Sequence, residues 1–360
     1  MKNLVPMILM RSAIIIALTW LAGCAGMEQY MPADAPPLTA DQEIKVGSTA
    51  EDRLLQLLGG PRHDQALLEE LDSLIKTEGG ASGRFTVTVA DKSAAALYAL
   101  PGGRIVVTRG VLSEISDQGE LVALLEGAAA LTRTAYSERA NRASNEATAE
   151  ILSLKESVYD PESGSIRLAR IFAQRPCEGR CLTSLLQSGV NRSGDVPESI
   201  RMLKGLQPAY ELLKEAQRLE KADNPSQAIT QYLNAASMAP EEPQILGSLG
   251  MAYLRTGDLQ TARLNLQKAV ELQPDYYKTR MGLGYLYLQQ GKVRKANDQL
   301  AESVRLLPVT ENLFLLAEAR EKGGDAEGGM SLYRLIVETD PHSKLGRTAA
   351  SRLARSKGVE

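Results

Sequence analysis

Two histidines and three cysteines are all that the 360 residues hold of the side chains most often used for nucleophilic or metal chemistry. His63 precedes a helical stretch, and His342 lies near the end of the chain. With so few imidazoles there is no Ser-His-Asp set, and no cysteine is placed with a histidine that could activate it. Gly102-Gly103 reads as a turn and not as a phosphate cradle. Cys177 and Cys181 close the run Cys-Glu-Gly-Arg-Cys. In an oxidising compartment they could form a small disulfide loop, the alternative being two free structural thiols. A metal site would need more ligands than this run contains. The expectation is therefore no catalytic residue, no metal and no cofactor.

Cys24 has a different setting. Lys2 and Arg11 precede the apolar run Ala13–Trp20, which is too short to span a bilayer and reads as the core of a signal peptide. The run leads into Leu21-Ala22-Gly23-Cys24, which resembles the lipobox of bacterial lipoproteins. The alternative is an ordinary secretory signal with an incidental cysteine. The resemblance implies that the Cys24 thiol receives diacylglycerol, that residues 1–23 are removed, and that acyl chains hold the protein at a membrane. Ala25 in place of an aspartate implies sorting to the outer membrane, at its periplasmic face. Residues 24–39, with Pro32, Pro36 and Pro37, read as a tether. Of 41 basic residues, Lys2 and Arg11 leave with the leader, so 39 face 44 acidic ones. That balance argues against a nucleic-acid partner, which would want a basic face.

The C-terminal half repeats itself. Pro240, Pro274 and Pro308 recur every thirty-four residues, and Pro341 follows one residue early. Leu246, Leu249, Gly250, Tyr253, Gly257, Ala262, Leu266 and Ala269 precede Pro274; Leu283, Gly284, Tyr287, Gly291, Ala296, Leu300 and Ser303 precede Pro308. A looser unit spans 209–242. A fourth, about 310–343, has Gly329 where a helix-packing alanine is expected. This spacing resembles the tetratricopeptide repeat: paired helices in close contact, a glycine turn between them, and a proline after the second. Four repeats over 209–343 would form an all-α superhelix, with an amphipathic basic helix and tail over 344–360 as its cap. The family geometry places Tyr210, Leu213, Gln217, Gln244, Met251, Arg255, Lys278, Met281, Tyr285 and Gln289 on the concave, partner-binding face. Met and Tyr there are adaptable contacts, and Arg255 and Lys278 could meet a carboxylate or acidic segment.

Residues 40–205 mix periods. Helical stretches follow Gln42 and cover about 64–76; Phe85–Ala90 alternates as a strand; Leu100–Gly103 is a turn; Arg104–Thr108 is a return strand; helices follow at Val111–Ile115 and Gly119–Leu131. The run Ala96-Leu97-Tyr98-Ala99-Leu100-Pro101-Gly102-Gly103, continuing to Thr108-Arg109-Gly110-Val111-Leu112, resembles metallopeptidase family 48, the CAAX-prenyl-protease and HtpX type. So does Asp195-Val196-Pro197-Glu198, which is similar to that family's closing helix start. Where the family carries His-Glu-x-x-His, this chain has Gly127-Ala128-Ala129-Ala130-Leu131. Gly127 and Leu131 replace the zinc ligands and Ala128 the general base. Glu146, at the third-ligand position, reads as a surface helix residue. With the repeats added, the chain is similar to periplasmic beta-barrel assembly-enhancing proteases.

The expected fold is an α+β zincin-like, degenerate peptidase domain over 40–205, followed by the all-α repeat superhelix. The expected function is a non-catalytic, membrane-anchored scaffold or adaptor that binds protein partners in envelope biogenesis. An extended client could also pair along strand 104–108. The alternatives are a zinc metalloprotease with displaced ligands acting in outer-membrane protein quality control, and a repeat-only platform for an export or assembly complex.

Overall fold

The computed structural model describes residues 38–78, 85–134, 142–187 and 194–356. The leader, Cys24 and most of the tether lie outside them. Helix α1 (Ala40–Leu57) starts at a capping box in which Thr39 and Gln42 satisfy each other's backbone N–H groups. Val46, Ala50 and Leu54 follow at helical spacing, fully buried. After α2 (Gln65–Glu78) come strands β1 (Thr86–Ala90), β2 (Leu97–Leu100) and β3 (Arg104–Thr108). Side chains alternate across this small sheet. Tyr98, Leu100 and Val106 pack against α1, whereas Leu97, Ile105 and Val107 pack with Leu67 and Leu71 of α2. Helices thus cover both faces.

The sheet corrects two expectations. Leu97–Leu100, read as the approach to a turn, is a strand pairing antiparallel with β3, and β1 pairs parallel with β3 on the other side. The strand order is β1-β3-β2, so 104–108 is the central strand. Its backbone is already paired on both sides, and no client can add to it there. The outer strands are touched in turn: Pro61 bridges to Ala90, and Cys177 to Leu97.

Further helices complete this body: α3 (Arg109–Glu114), α4 (Gln118–Thr134), α5 (Arg142–Ser153), α6 (Gly164–Ala173), α7 (Arg180–Gln187) and α8 (Glu198–Gly205). The last begins directly after Pro197. Leu121, Leu124, Leu125 and Ala128 of α4 join the α2 side of the core; Leu168 and Phe172 of α6 join the α1 side.

The repeats are helix pairs throughout: α9 (Gln207–Lys221) with α10 (Pro225–Met238), α11 (Pro243–Thr256) with α12 (Leu259–Leu272), α13 (Tyr277–Gln289) with α14 (Val293–Leu306), and α15 (Thr310–Lys322) with α16 (Ala326–Thr339). Pro240, Pro274, Pro308 and Pro341 each stand just beyond a second helix, where the missing N–H costs nothing. Within the second pair a Cβ at Gly250 would stand 2.7 Å from Leu266 Cγ, so only glycine lets that fully buried leucine seat. Gly284 and Leu300 repeat the arrangement. Helix α17 (Lys344–Ser356) buries Ala349 and joins Arg352 to Glu318 and Glu321, covering the last pair.

The body and the repeats form one compact unit from Leu38 onward. They meet along a row of inter-repeat turns. Gln244 Nε2, just after the first turn, donates to Gly59 O at 2.8 Å and Asp91 O at 3.0 Å. At the second, Gln273 Nε2 donates to Pro61 O at 2.5 Å, Gln56 Nε2 donates to Asp275 O at 2.6 Å, and Tyr277 N–H donates back to Gln56 at 3.0 Å. At the third, Arg53 donates to the carbonyls of Arg305 and Leu306. One face of α1 and the loop after it therefore reads three successive turns.

Candidate functional site

The junction at the first turn gathers several buried or nearly buried charges. Asp91, at the end of β1, is 3% exposed and accepts from Arg109 Nε at 2.7 Å and from Arg62 Nη1 at 3.3 Å. Arg62 also forks onto Glu242, with both nitrogens at 3.0 Å. Tyr210 of α9 enters between them: Arg62 donates to its hydroxyl at 2.8 Å, and that hydroxyl reaches Asp91 and Glu242. The Arg109 guanidinium lies 3.3 Å from the centre of the Tyr210 ring. Burial raises the Tyr210 phenol well above its ordinary value, and the Asp91 carboxylate adds to that. Burial pulls Arg62 down, but Asp91, Tyr210 and Glu242 outweigh it and hold the guanidinium above its ordinary value. These are paired charges that fix one arrangement of body against repeats.

A cavity of about 630 Å³ opens beside this junction. Its repeat-side wall includes Tyr210, Leu213, Gln217, Gln244, Met251 and Lys278, six of the ten residues placed on the concave face from sequence. The other wall comes from the body: Leu57 to Gly59, and the loop Asp91 to Ala94 with Arg109 behind it. Exposed Lys214 and Lys278 and half-buried Lys92 face it, with Glu211 as the exposed carboxylate.

The ten residues do not share one role. Tyr210 and Leu213 are 4% and 5% exposed. Tyr210, expected to face a partner, is instead occupied by the body, because the Asp91 cluster claims its hydroxyl. Gln244 likewise spends its amide on Gly59 and Asp91. Gln217 and Lys278 are exposed and Met251 half-buried. Arg255 lies outside the cavity lining and pairs with Glu220. Met281 and Tyr285 are half-buried against the core of the later repeats, and Gln289 is exposed. The body residues Lys92 and Arg109 carried no signal as part of a repeat groove, since nothing in sequence tells that β1 docks beside Tyr210.

On α4, Gly127 packs against Leu185 of α7, whereas Ala130 is exposed. A Cβ at Gly127 would collide with Leu185, and Ala128 is fully buried. The side of α4 on which the resemblance places a zinc ligand is thus filled by a leucine. Glu146 is exposed on α5. His63 lies 2.7 Å from Asp275, and His342 is exposed at the last turn. Among the described residues there is no group of three His, Cys, Asp or Glu side chains placed to hold a metal ion. Cys177 and Cys181 are joined by a disulfide, and Cys177 exchanges two backbone hydrogen bonds with Leu97, of 2.8 and 3.0 Å. Among the described residues, no helix is long and apolar enough to cross a membrane.

Comparison with known proteins places the repeats. A tetratricopeptide-repeat family matches residues 213–277 and 281–344, and a second model of the same repeat matches 253–308. No curated protein matches the chain. Among solved structures, a crystal structure of MamA is similar at 21% identity, covering 36% of this chain and 77% of that one, with a TM-score of 0.34. MamA (41-end) from Desulfovibrio magneticus RS-1 is similar at 24% identity, covering 41% and 96%, with a TM-score of 0.35. The first repeat domain of Spaghetti (RPAP3), bound to an HSP90 peptide, is similar at 21%, covering 33% and 94%, with a TM-score of 0.32. Residues 213–344 of this chain are tetratricopeptide repeats, stacked as an all-α array of helix pairs.

Proposed function

We propose that this chain is a non-catalytic scaffold, held by lipid on Cys24 at the periplasmic face of the outer membrane, that binds protein partners in envelope biogenesis. The observation that carries the reading is the cavity beside α9, α11 and α13. Gln217 and Lys278, both exposed, and half-buried Met251 line it and leave it open to a segment of another protein. The body then acts as a pseudo-peptidase: it keeps the order of elements that resembles family 48 but offers Leu185 where the first zinc ligand would stand. The lipid anchor rests on the run Leu21–Cys24, and the envelope role on the resemblance to assembly-enhancing proteases.

Photo-crosslinkers at Met251 and Gln217, inside the cavity, test the scaffold in cells. Capture of a discrete envelope protein from both, and not from exposed Lys322, is the expected result. Capture from neither overturns the cavity as the partner site. Incorporation of labelled palmitate, abolished by Cys24→Ala together with membrane association, is expected of the anchor. Chelator-sensitive cleavage of casein by the purified protein, with stoichiometric zinc, would replace the scaffold by a protease.

A further inference from the structure

We infer that the partner site is composite: the body loop Asp91–Ala94 forms a wall of the repeat groove, and with Lys92 it selects a short acidic segment of a protein partner. The inference rests on the scaffold reading above and adds the chemistry of what is held. Three observations carry it.

The first is sign. The chain as a whole is acidic, with a formal charge of −3. Around the cavity the order reverses, with Lys92, Lys214 and Lys278 facing it against the single exposed carboxylate of Glu211. The two remaining charges on the wall, Asp91 and Arg109, are buried and satisfy each other at 2.7 Å. A local excess of cations on an acidic molecule steers and retains a negatively charged segment, which the acidic remainder of the surface repels.

The second is origin. Lys214 and Lys278 belong to α9 and α13, but Lys92 comes from the body. Its Nζ lies 3.1 Å from the Tyr98 hydroxyl and 5.9 Å from that ring's centre, so the side chain is anchored beside the groove. The third is rigidity. The loop that carries Lys92 is pinned at both ends of Asp91: the side chain by Arg62, Arg109 and Tyr210, the carbonyl by Gln244 at 3.0 Å. A wall fixed before binding loses little entropy when a ligand arrives. A space of about 630 Å³ suits a stretch of only a few residues, not a whole domain.

Fluorescence anisotropy on the full mature protein, with fluorescein-labelled hexaglutamate, hexaglutamine and hexalysine as probes, tests this. Hexaglutamate should bind about tenfold or more tighter than hexaglutamine, and the difference should shrink as salt shortens the screening length. Lys278→Glu and Lys92→Glu should each weaken hexaglutamate by about fivefold or more, and Lys322→Glu, away from the cavity, should leave it unchanged. Lys92→Gln, which keeps a polar group near Tyr98, should show a smaller loss in the same direction, with an unchanged melting temperature. If Lys278→Glu weakens binding and neither Lys92 variant does, the repeats bind alone and the composite site is wrong. Equal binding of hexaglutamate and hexaglutamine, with Met251 still capturing a protein in cells, would overturn the acidic partner and leave the scaffold standing. Binding of citrate as tight as that of hexaglutamate would make this a small-anion site and overturn the peptide.

Discussion

Tyr210 and Asp91, 119 residues apart in sequence, share a buried hydrogen bond of 3.2 Å that ties the first repeat helix to the end of the first strand. The bond belongs to a cluster in which Asp91 also faces Arg109 and Arg62. Removing the carboxylate would take from the buried Arg109 the carboxylate it is paired with, and would leave Arg62 paired with Glu242 alone. Breaking one side of such a pair costs about 3–5 kcal/mol, more than the pair contributes relative to an apolar replacement. Asp91→Ala should therefore lose about that much stability in urea unfolding. Tyr210→Phe, which removes only the hydroxyl, should lose about 1–2 kcal/mol. A loss below about 0.5 kcal/mol for Asp91→Ala would mean that the junction is open to solvent.

Gly127 and Leu185 set the second prediction. A side chain at 127 must move the terminal methyl of half-buried Leu185, which packs from α7 onto α4. Overpacking of this kind typically costs about 1–3 kcal/mol. Gly127→His should lower the melting temperature. The triple change Gly127→His, Ala128→Glu, Leu131→His, which writes the zinc-peptidase word back into α4, should still bind no zinc by elemental analysis, because α7 occupies the side where the metal would sit. Stoichiometric zinc in that variant would show that α7 yields easily and that loss of the ligands alone separates this body from an enzyme.

His63 and Asp275 bridge the body and the second inter-repeat turn. The hydrogen bond that His63 donates to the Asp275 carboxylate raises the imidazole above its ordinary value of 6.5. A group raised in the folded state stabilises it fully below the unfolded value, and that contribution disappears as pH rises through the folded value. Both side chains are more than a third exposed, so screening limits the effect to about 0.2–1 kcal/mol. His63→Asn should be less stable than the parent at about pH 5.5 and indistinguishable from it at about pH 8.5. A gap that widens with pH would contradict the pairing.

How far the sequence reaches can be judged from particular residues. The spacing of Gly250 and Leu266 is local and repeats thirty-four residues later at Gly284 and Leu300, so the helix pairs were readable before any fold was known. Leu97–Leu100 was not readable as a strand: all four side chains are buried, so no alternation of polar and apolar residues marks it. Without that strand, β3 reads as an edge. Tyr210 combines a repeat position with a long-range polar contact. Its repeat position points to a concave, partner-facing role, but its hydroxyl is claimed by Asp91 from a loop with no periodic pattern. Long-range polar contacts between loops, such as Arg62 with Glu242, leave no local trace.

The disulfide between Cys177 and Cys181 supports the outer edge of β2. Cys177 pairs with Leu97 through two backbone hydrogen bonds, and Cys181 opens α7, the helix that carries Leu185 onto α4. A loop this short removes little unfolded-state entropy, about 2 kcal/mol on a chain-entropy estimate. The larger consequence is local. Without the cross-link, Cys177 can leave the strand edge and α7 can detach from Gly127 while the rest of the core persists. Reduction, or Cys177→Ser with Cys181→Ser, should therefore lower stability by about 1–2 kcal/mol and raise amide exchange selectively at Leu97 and across Arg180–Gln187, with the repeat helices α11 to α16 unchanged. Uniform acceleration through both the body and the repeats would instead mean that the cross-link holds the whole unit. Unchanged exchange at Leu97 would show that the two backbone bonds hold the edge without it.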